Sequence, residues 1–167
     1  MYIENPIALR FIMQDELYLL NSDKVLYDAP AAPHPIAETL AVSFNYLGGN
    51  KKKFLVVTHY PDQEFIPDKH LAALENILKR LDFSLDDAAI FNIARHSGLA
   101  FEHLNNFFKP QKLLLLGANT LPEGMEAPAF NKTAALNNCS TLFSFSFDEM
   151  MENNENKKVF WEQMKQL

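Results

Sequence analysis

The sequence predicts an α/β domain: a three-layer α/β/α sandwich built on a central, mostly parallel sheet of about four strands. Three observations carry that expectation. Leu113–Leu116 is an unbroken run of leucines held between Pro110 and Gly117. It is too short for a helix and apolar on both faces, as a strand inside a parallel sheet must be. Phe54–Thr58 and Ala88–Ile93 are two more short apolar runs. The stretches between these runs place apolar residues three and four apart, the period of an amphipathic helix. Strand and helix in alternation imply parallel βαβ units.

The elements follow in order. Ile7–Met13 reads as a short helix with Pro6 near its first turn, and Leu17–Leu20 as a brief extended piece. Tyr27–Pro35 carries Pro30, Pro33 and Pro35. Proline removes backbone donors and biases its neighbours to extended states, so this stretch is a linker. Residues 1–35 are thus read as an amino-terminal peptide with its linker, and 36–167 as a single α/β domain. An apolar helix on a semi-rigid spacer suits docking on another protein, with Leu9, Phe11, Ile12, Leu17 and Tyr18 as contact residues. Packing back on the domain is the plainer alternative.

Thr39–Tyr46 alternates loosely and is a candidate edge strand, and Leu47-Gly48-Gly49-Asn50 is a turn. After the Phe54–Thr58 strand, His59–Pro67 is a loop. Asp68 is expected to cap a helix running to Leu81, with Leu71, Leu74, Ile77, Leu78 and Leu81 on one face. Ser97 is expected to cap a second helix, directing Leu104, Phe107 and Phe108 inward and ending at Pro110. Thr120–Asn138 reads as irregular. Thr141–Phe147 alternates hydroxyl and apolar side chains, the pattern of a half-buried strand at a sheet edge. Asp148 begins a final helical region, closed by Val159–Leu167 with Phe160, Trp161 and Met164 as anchors.

Composition narrows function mainly by exclusion. Hydrophobic residues make up 48% of 167, enough for one sizeable core. The net charge is −6, and cations cluster only at Lys51–Lys53 and Lys157–Lys158. A duplex-gripping protein shows a basic face, so weak or no direct nucleic-acid binding is expected. The single cysteine, Cys139, excludes an internal disulfide and a cysteine-ligated cluster, and is read as inert. The histidines do not pair with carboxylates at ligand spacing, so no metal and no cofactor are expected. There is no GxxxxGK, GxGxxG or GxSxG motif. Without a signal sequence or a spanning apolar run, a cytoplasmic location and no membrane partner are expected.

In open parallel sheets ligands bind beyond the carboxyl ends of the strands, at the point where strand order reverses. That switch point is placed between Phe54–Thr58 and Leu113–Leu116. The polar residues expected there are Thr58, His59, Asp62, Gln63 and Glu64 after one strand, Asn92 and Asn119 after two others, and Ser146 and Asp148 after the last. A histidine with an aspartate can serve acid–base chemistry, and an asparagine can read an amide-bearing base edge. The same positions also carry caps and turns. Asp148 is more simply a helix cap and Asn92 a loop tie, while His70 and His103 are expected to be solvated on their helices.

Three blocks, in order, resemble the uracil-DNA glycosylase-like family. Leu74–Arg95 resembles its helix–turn–strand, Leu113–Ala118 its next strand and glycine, and Phe145–Leu167 its last strand, catalytic loop and closing helix. Lys157 and Trp161 fall at the family's spacing. The resemblance implies that fold from Phe54 onward and a nucleobase cleft marked by His59, Pro61, Asp62, Asn92, Asn119, Ser146 and Asp148, with Asn92 at the base-reading position. Where the family carries a Gly-Glu-Ala-Pro-Gly-like loop, this chain has Thr58-His59-Tyr60-Pro61-Asp62 and keeps the proline. Where the family has His-Pro-Ser, this chain has Ser146-Phe147-Asp148, without the histidine that would stabilise charge on a departing base. The resemblance therefore implies a kept scaffold, a vestigial cleft and no catalytic residue.

The layout of Ala8–Leu20 is a short helix, a turn and an extended apolar piece with Tyr18 as its aromatic, followed by the spacer. It is similar to the psi-subunit family of the bacterial DNA polymerase III clamp loader. That resemblance implies a non-catalytic protein–protein interaction module in DNA replication, with clamp-loader subunits and a chi-like subunit as partners. The alternative is an active uracil-DNA glycosylase-like or other nucleobase-binding enzyme.

Overall fold

A computed structural model describes residues 43–136 and 138–167. The expected amino-terminal helix and linker, and with them Leu9, Phe11, Ile12, Leu17 and Tyr18, lie outside the described residues. The described chain is a mixed α/β structure. Its strands are β1 (Tyr46–Gly48), β2 (Phe54–Thr58), β3 (Ala88–Asn92), β4 (Lys112–Leu116), β5 (Thr133–Leu136) and β6 (Cys139–Ser144). Its helices are α1 (Asp68–Lys79), α2 (Phe101–Phe108), α3 (Phe147–Glu152) and α4 (Asn154–Met164).

The sheet has six strands in the order β1-β3-β2-β4-β6-β5 rather than the expected four or so. The inner four, β3, β2, β4 and β6, are mutually parallel, and the antiparallel edges β1 and β5 account for the difference. Both edge strands are short, at three and four residues. β1 falls at the end of the expected Thr39–Tyr46 segment and runs into the expected turn. Gly48 has φ +94°, and a β-carbon there would collide with the Ala88 carbonyl oxygen, so glycine lets β1 lie against β3. β5 is Thr-Ala-Ala-Leu inside a stretch expected to be irregular.

β6 corrects a second expectation. It is an interior strand between β4 and β5, not a half-buried edge, and it ends at Ser144 rather than Phe147. Thr141 and Ser144 are buried because they have partners. Thr141 Oγ1 donates to the Cys139 carbonyl at 3.5 Å, and Ser144 Oγ donates to Asn131 Oδ1 at 2.8 Å.

Side-chain parity along the inner strands builds two cores. Phe54, Val56, Ile90, Leu114, Leu116 and Leu142 point to one face, where Leu74 and Leu78 of α1, Phe147 and Met150 of α3 and Phe160 and Met164 of α4 cover them. Leu55, Val57, Phe91, Leu113, Leu115 and Phe143 point to the other, where Leu104 and Phe108 of α2 join them. The β2–α1–β3 crossover thus packs on one face and the β3–α2–β4 crossover on the other. Strand order reverses between β2 and β4, where the sequence places the switch point.

Helix ends differ from the sequence reading. α1 is capped by Pro67, whose carbonyl accepts from His70 and Leu71 N–H, and Asp68 sits in its first turn. α1 stops at Lys79 because Asp82 adopts φ +58° and the Phe83 N–H returns to the Leu78 carbonyl, a left-handed C-terminal closure. α2 begins at Phe101, not at a Ser97 cap. A backbone bridge, Phe101 N–H to the Glu123 carbonyl and Glu123 N–H to the Leu99 carbonyl, fixes its start. The final helical region breaks at Asn153, which ends α3 and caps α4 by accepting from Glu155 N–H at 2.9 Å.

Leu114 is fully buried at the centre of β4. Leu114→Ala is expected to lower the unfolding free energy by about 3 kcal/mol. Urea titration checks it, with the midpoint falling and the slope unchanged.

Candidate functional site

The carboxyl ends of β2, β3, β4 and β6 share one edge of the sheet, with Thr58 paired to Asn92 and Leu116 to Ser144. Thr58 turns its hydroxyl back into the sheet, donating to the Phe91 carbonyl at 3.3 Å. Asn92, buried at 4% exposure, clamps the loop that follows β2. Its Oδ1 accepts from Tyr60 N–H at 2.9 Å and Ala94 N–H at 3.2 Å. Its Nδ2 donates to the Tyr60 and Gln63 carbonyls at 2.9 and 2.8 Å and lies 3.4 Å from that of Glu64. Both Nδ2 protons and both Oδ1 lone pairs are matched. The resemblance puts a base-reading group at this position; the structure commits that amide to its own backbone.

Beside the clamp runs a line of three polar side chains. Tyr60 Oη lies 2.8 Å from His70 Nδ1, and His70 Nε2 lies 3.6 Å from Asp148 Oδ1. His70 is buried, not solvated as its helical position suggested, and its ring stacks on Phe147 at 5.5 Å. Burial pushes the Tyr60 hydroxyl well above the ordinary tyrosine value, and the nearby Asp148 charge adds to the shift. On the other side of the ring, Nε2 faces Asp148. At 3.6 Å that approach is longer than a hydrogen bond. The Tyr60–His70 contact ties the loop after β2 to the first turn of α1, and the stacked Phe147 ring brings the start of α3 against His70.

Ser146 and Asp148 flank that start. Ser146, not Asp148, is the cap of α3. Its Oγ accepts from Glu149 N–H at 3.3 Å, while the Glu149 carboxylate accepts from Ser146 N–H at 2.8 Å. This reciprocal box satisfies two orphan helix donors. Asp148 stands in the first turn with its side chain 68% exposed. Gly117, after β4, passes so close that a β-carbon on it would lie 3.2 Å from Ser146 Cβ, and its φ is +100°. Only glycine fits there without strain.

His59 and Asn119 meet elsewhere. With His96, Ser97 and Glu123 they line a polar cleft of about 130 Å³ beyond the ends of β2, β3 and β4. The expected set therefore divides. His59 and Asn119 share the cleft, Asn92 holds the loop beneath, Ser146 and Asp148 belong to α3, and Pro61 and Asp62 are exposed in the loop. Among the described residues no group of three or more His, Cys, Asp or Glu is placed to hold a metal ion. Cys139 is buried, and burial pushes its thiol up, away from the reactive thiolate.

The sequence reading missed Tyr60 and His70. The signal for His70 was present: with Leu74 and Leu78 it recurs at intervals of four and forms the buried stripe of α1. Comparison with protein-family models finds no match to this chain, and comparison with curated proteins finds none either.

Asn92→Ala leaves one N–H and two carbonyls of the loop without their partner and is expected to destabilise the fold by about 2–3 kcal/mol. Urea unfolding measures the loss, and hydrogen exchange at residues 60–64 should locate it. A phenol whose pKa is raised by folding keeps its proton longer in the native state. Its contribution is therefore complete below the unfolded value of about 10 and declines as pH rises beyond it. Unfolding at about pH 9 and about pH 11 should show a fall in stability that Tyr60→Phe makes smaller.

Proposed function

We propose that the chain is a non-catalytic protein–protein interaction module, a psi-like accessory subunit of a replication clamp loader acting in the cytoplasm. Its domain is read as a three-layer α/β/α scaffold of the uracil-DNA glycosylase-like type. The observation that carries the reading is the Asn92 clamp: the amide at the base-reading position is committed on both sides to Tyr60, Gln63 and Ala94. Ser146, at the second motif, is likewise engaged as a cap. An acidic chain, at net charge −6, fits a partner that is protein rather than duplex DNA. The amino-terminal segment supplies contact residues Leu9, Phe11, Ile12, Leu17 and Tyr18 for clamp-loader subunits, with a chi-like subunit as a further partner.

One observation favours a second reading. The cleft over the switch point brings His59 and Asn119 together, a placement suited to a small polar ligand such as a nucleobase.

Two assays separate the readings. Full-length protein should capture clamp-loader subunits in a pull-down, and deletion of residues 1–28 should abolish capture. Absence of capture, or capture untouched by the deletion, defeats the module reading. A uracil-excision assay on single- and double-stranded DNA should show no turnover. Turnover that disappears in His59→Ala would establish the enzyme instead.

A further inference from the structure

We propose that the groove between α1 and α4 is a docking site for an acidic amphipathic helix of a protein partner. The inference rests on the reading of this chain as a protein-binding module and adds a second surface to it, on the folded domain. The groove encloses about 320 Å³ and shares no lining residue with the polar cleft at the strand ends. Ala73, Ile77 and Arg80 line one wall at helical spacing, Lys157 and Trp161 line the other, and Met151 of α3 contributes to the lining. Stripes three and four residues apart present the ridges that a further helix packs against. Among the described residues no strand edge borders the groove, so an extended peptide would find no backbone ladder to join there.

The chemistry of the walls selects the partner. Ile77, Met151 and Trp161 are half-buried, leaving apolar surface to be covered, and methionine adapts its shape to what covers it. The rim is cationic. Arg80 sits 5.7 Å above the Trp161 ring, and Lys157 Nζ donates to the neutral Asn154 Oδ1 at 3.2 Å. Among the described residues neither cation pairs with a carboxylate. Among the described residues none that lines the groove is acidic, although acidic residues outnumber basic ones 21 to 15 in the chain. A helix with apolar residues on one face and glutamates flanking them matches both the floor and the rim.

Trp161 is the chain's single tryptophan, so its emission reports occupancy of the groove directly. The full-length protein is titrated with a synthetic peptide of about 16 residues, long enough to hold a helix, with leucines on one face and glutamates beside them. The comparator carries lysines in place of the glutamates. The expected result is a saturable blue shift with the glutamate peptide and little response to the lysine peptide. Binding should weaken about tenfold in the Arg80→Glu, Lys157→Glu double variant, whose exposed positions leave folding intact. The proposal is overturned by a missing shift, by equal response to the two peptides, or by a double variant that binds as the unaltered protein does. It is also overturned if Trp161 responds instead to phosphatidylglycerol vesicles, or to the protein's own concentration as a second copy fills the groove. Capture of clamp-loader subunits through residues 1–28 without any Trp161 response defeats this inference alone. A Trp161 response without capture defeats the clamp-loader assignment alone.

Discussion

Burial of β2 and β4 on both faces is the constraint from which the rest of the domain follows. Every residue of β2 is buried, and in β4 only Lys112 escapes. A strand in that position cannot alternate apolar with polar, because each parity feeds a different core. Val56 and Leu114 support α1, α3 and α4, while Val57 and Leu115 support α2. Each such side chain contributes about 1.5–3 kcal/mol of burial, so the pair of strands fixes two helical faces at once. The same constraint expels chemistry from the middle of the sheet. At the carboxyl ends of the parallel strands Thr58, Asn92 and Ser144 are buried as well, each with hydrogen-bond partners, and the loops that follow share one edge.

That logic explains what the sequence disclosed. A leucine run between proline and glycine is legible because full burial leaves no alternative composition. The apolar stripe of α1 is legible because its period is 3.6. The edge strands are not. β1 and β5 owe their pairing to backbone hydrogen bonds and to Gly48, and residues such as Thr133 and Ala135 carry no apolar signature. β6 misled in the opposite direction, because hydroxyls at Thr141 and Ser144 imitate a wet face while being bonded inside the sheet. Cap positions misled for the same reason. Asp68 and Ser97 have the right chemistry for capping, but Pro67 and the Ala100–Glu123 bridge hold those helix starts through backbone atoms.

The candidate site was legible in place and illegible in assignment. Asn92, His59, Asn119 and Ser146 stand at or just after the ends of the inner strands, since topology alone determines that. Which of them faces a cleft depends on loop paths that hydrogen bonds set. Asn92 and Ser146 have the residue types that bind ligands, and also those that tie loops and cap helices. Only the partners at Tyr60, Gln63 and Glu149 distinguish the two uses. His70, expected to be solvated on its helix, is buried instead. Packed against Phe147 and bonded to Tyr60, it belongs to the buried stripe.

Binding energetics then differ between the two regions of the domain. A ligand that engaged Asn92 would first have to release the loop backbone, leaving buried groups unmatched at about 1–3 kcal/mol each. The clamp therefore opposes occupancy there and stiffens the loop. The helical face has the reverse balance. Ile77, Met151 and Trp161 keep part of their apolar surface in water, and covering it gains roughly 25 cal/mol per Å² with no internal hydrogen bond to break. Among the described residues, the strand-end amide of Asn92 is thus occupied by its own backbone, while the groove between α1 and α4 keeps part of its apolar surface in water.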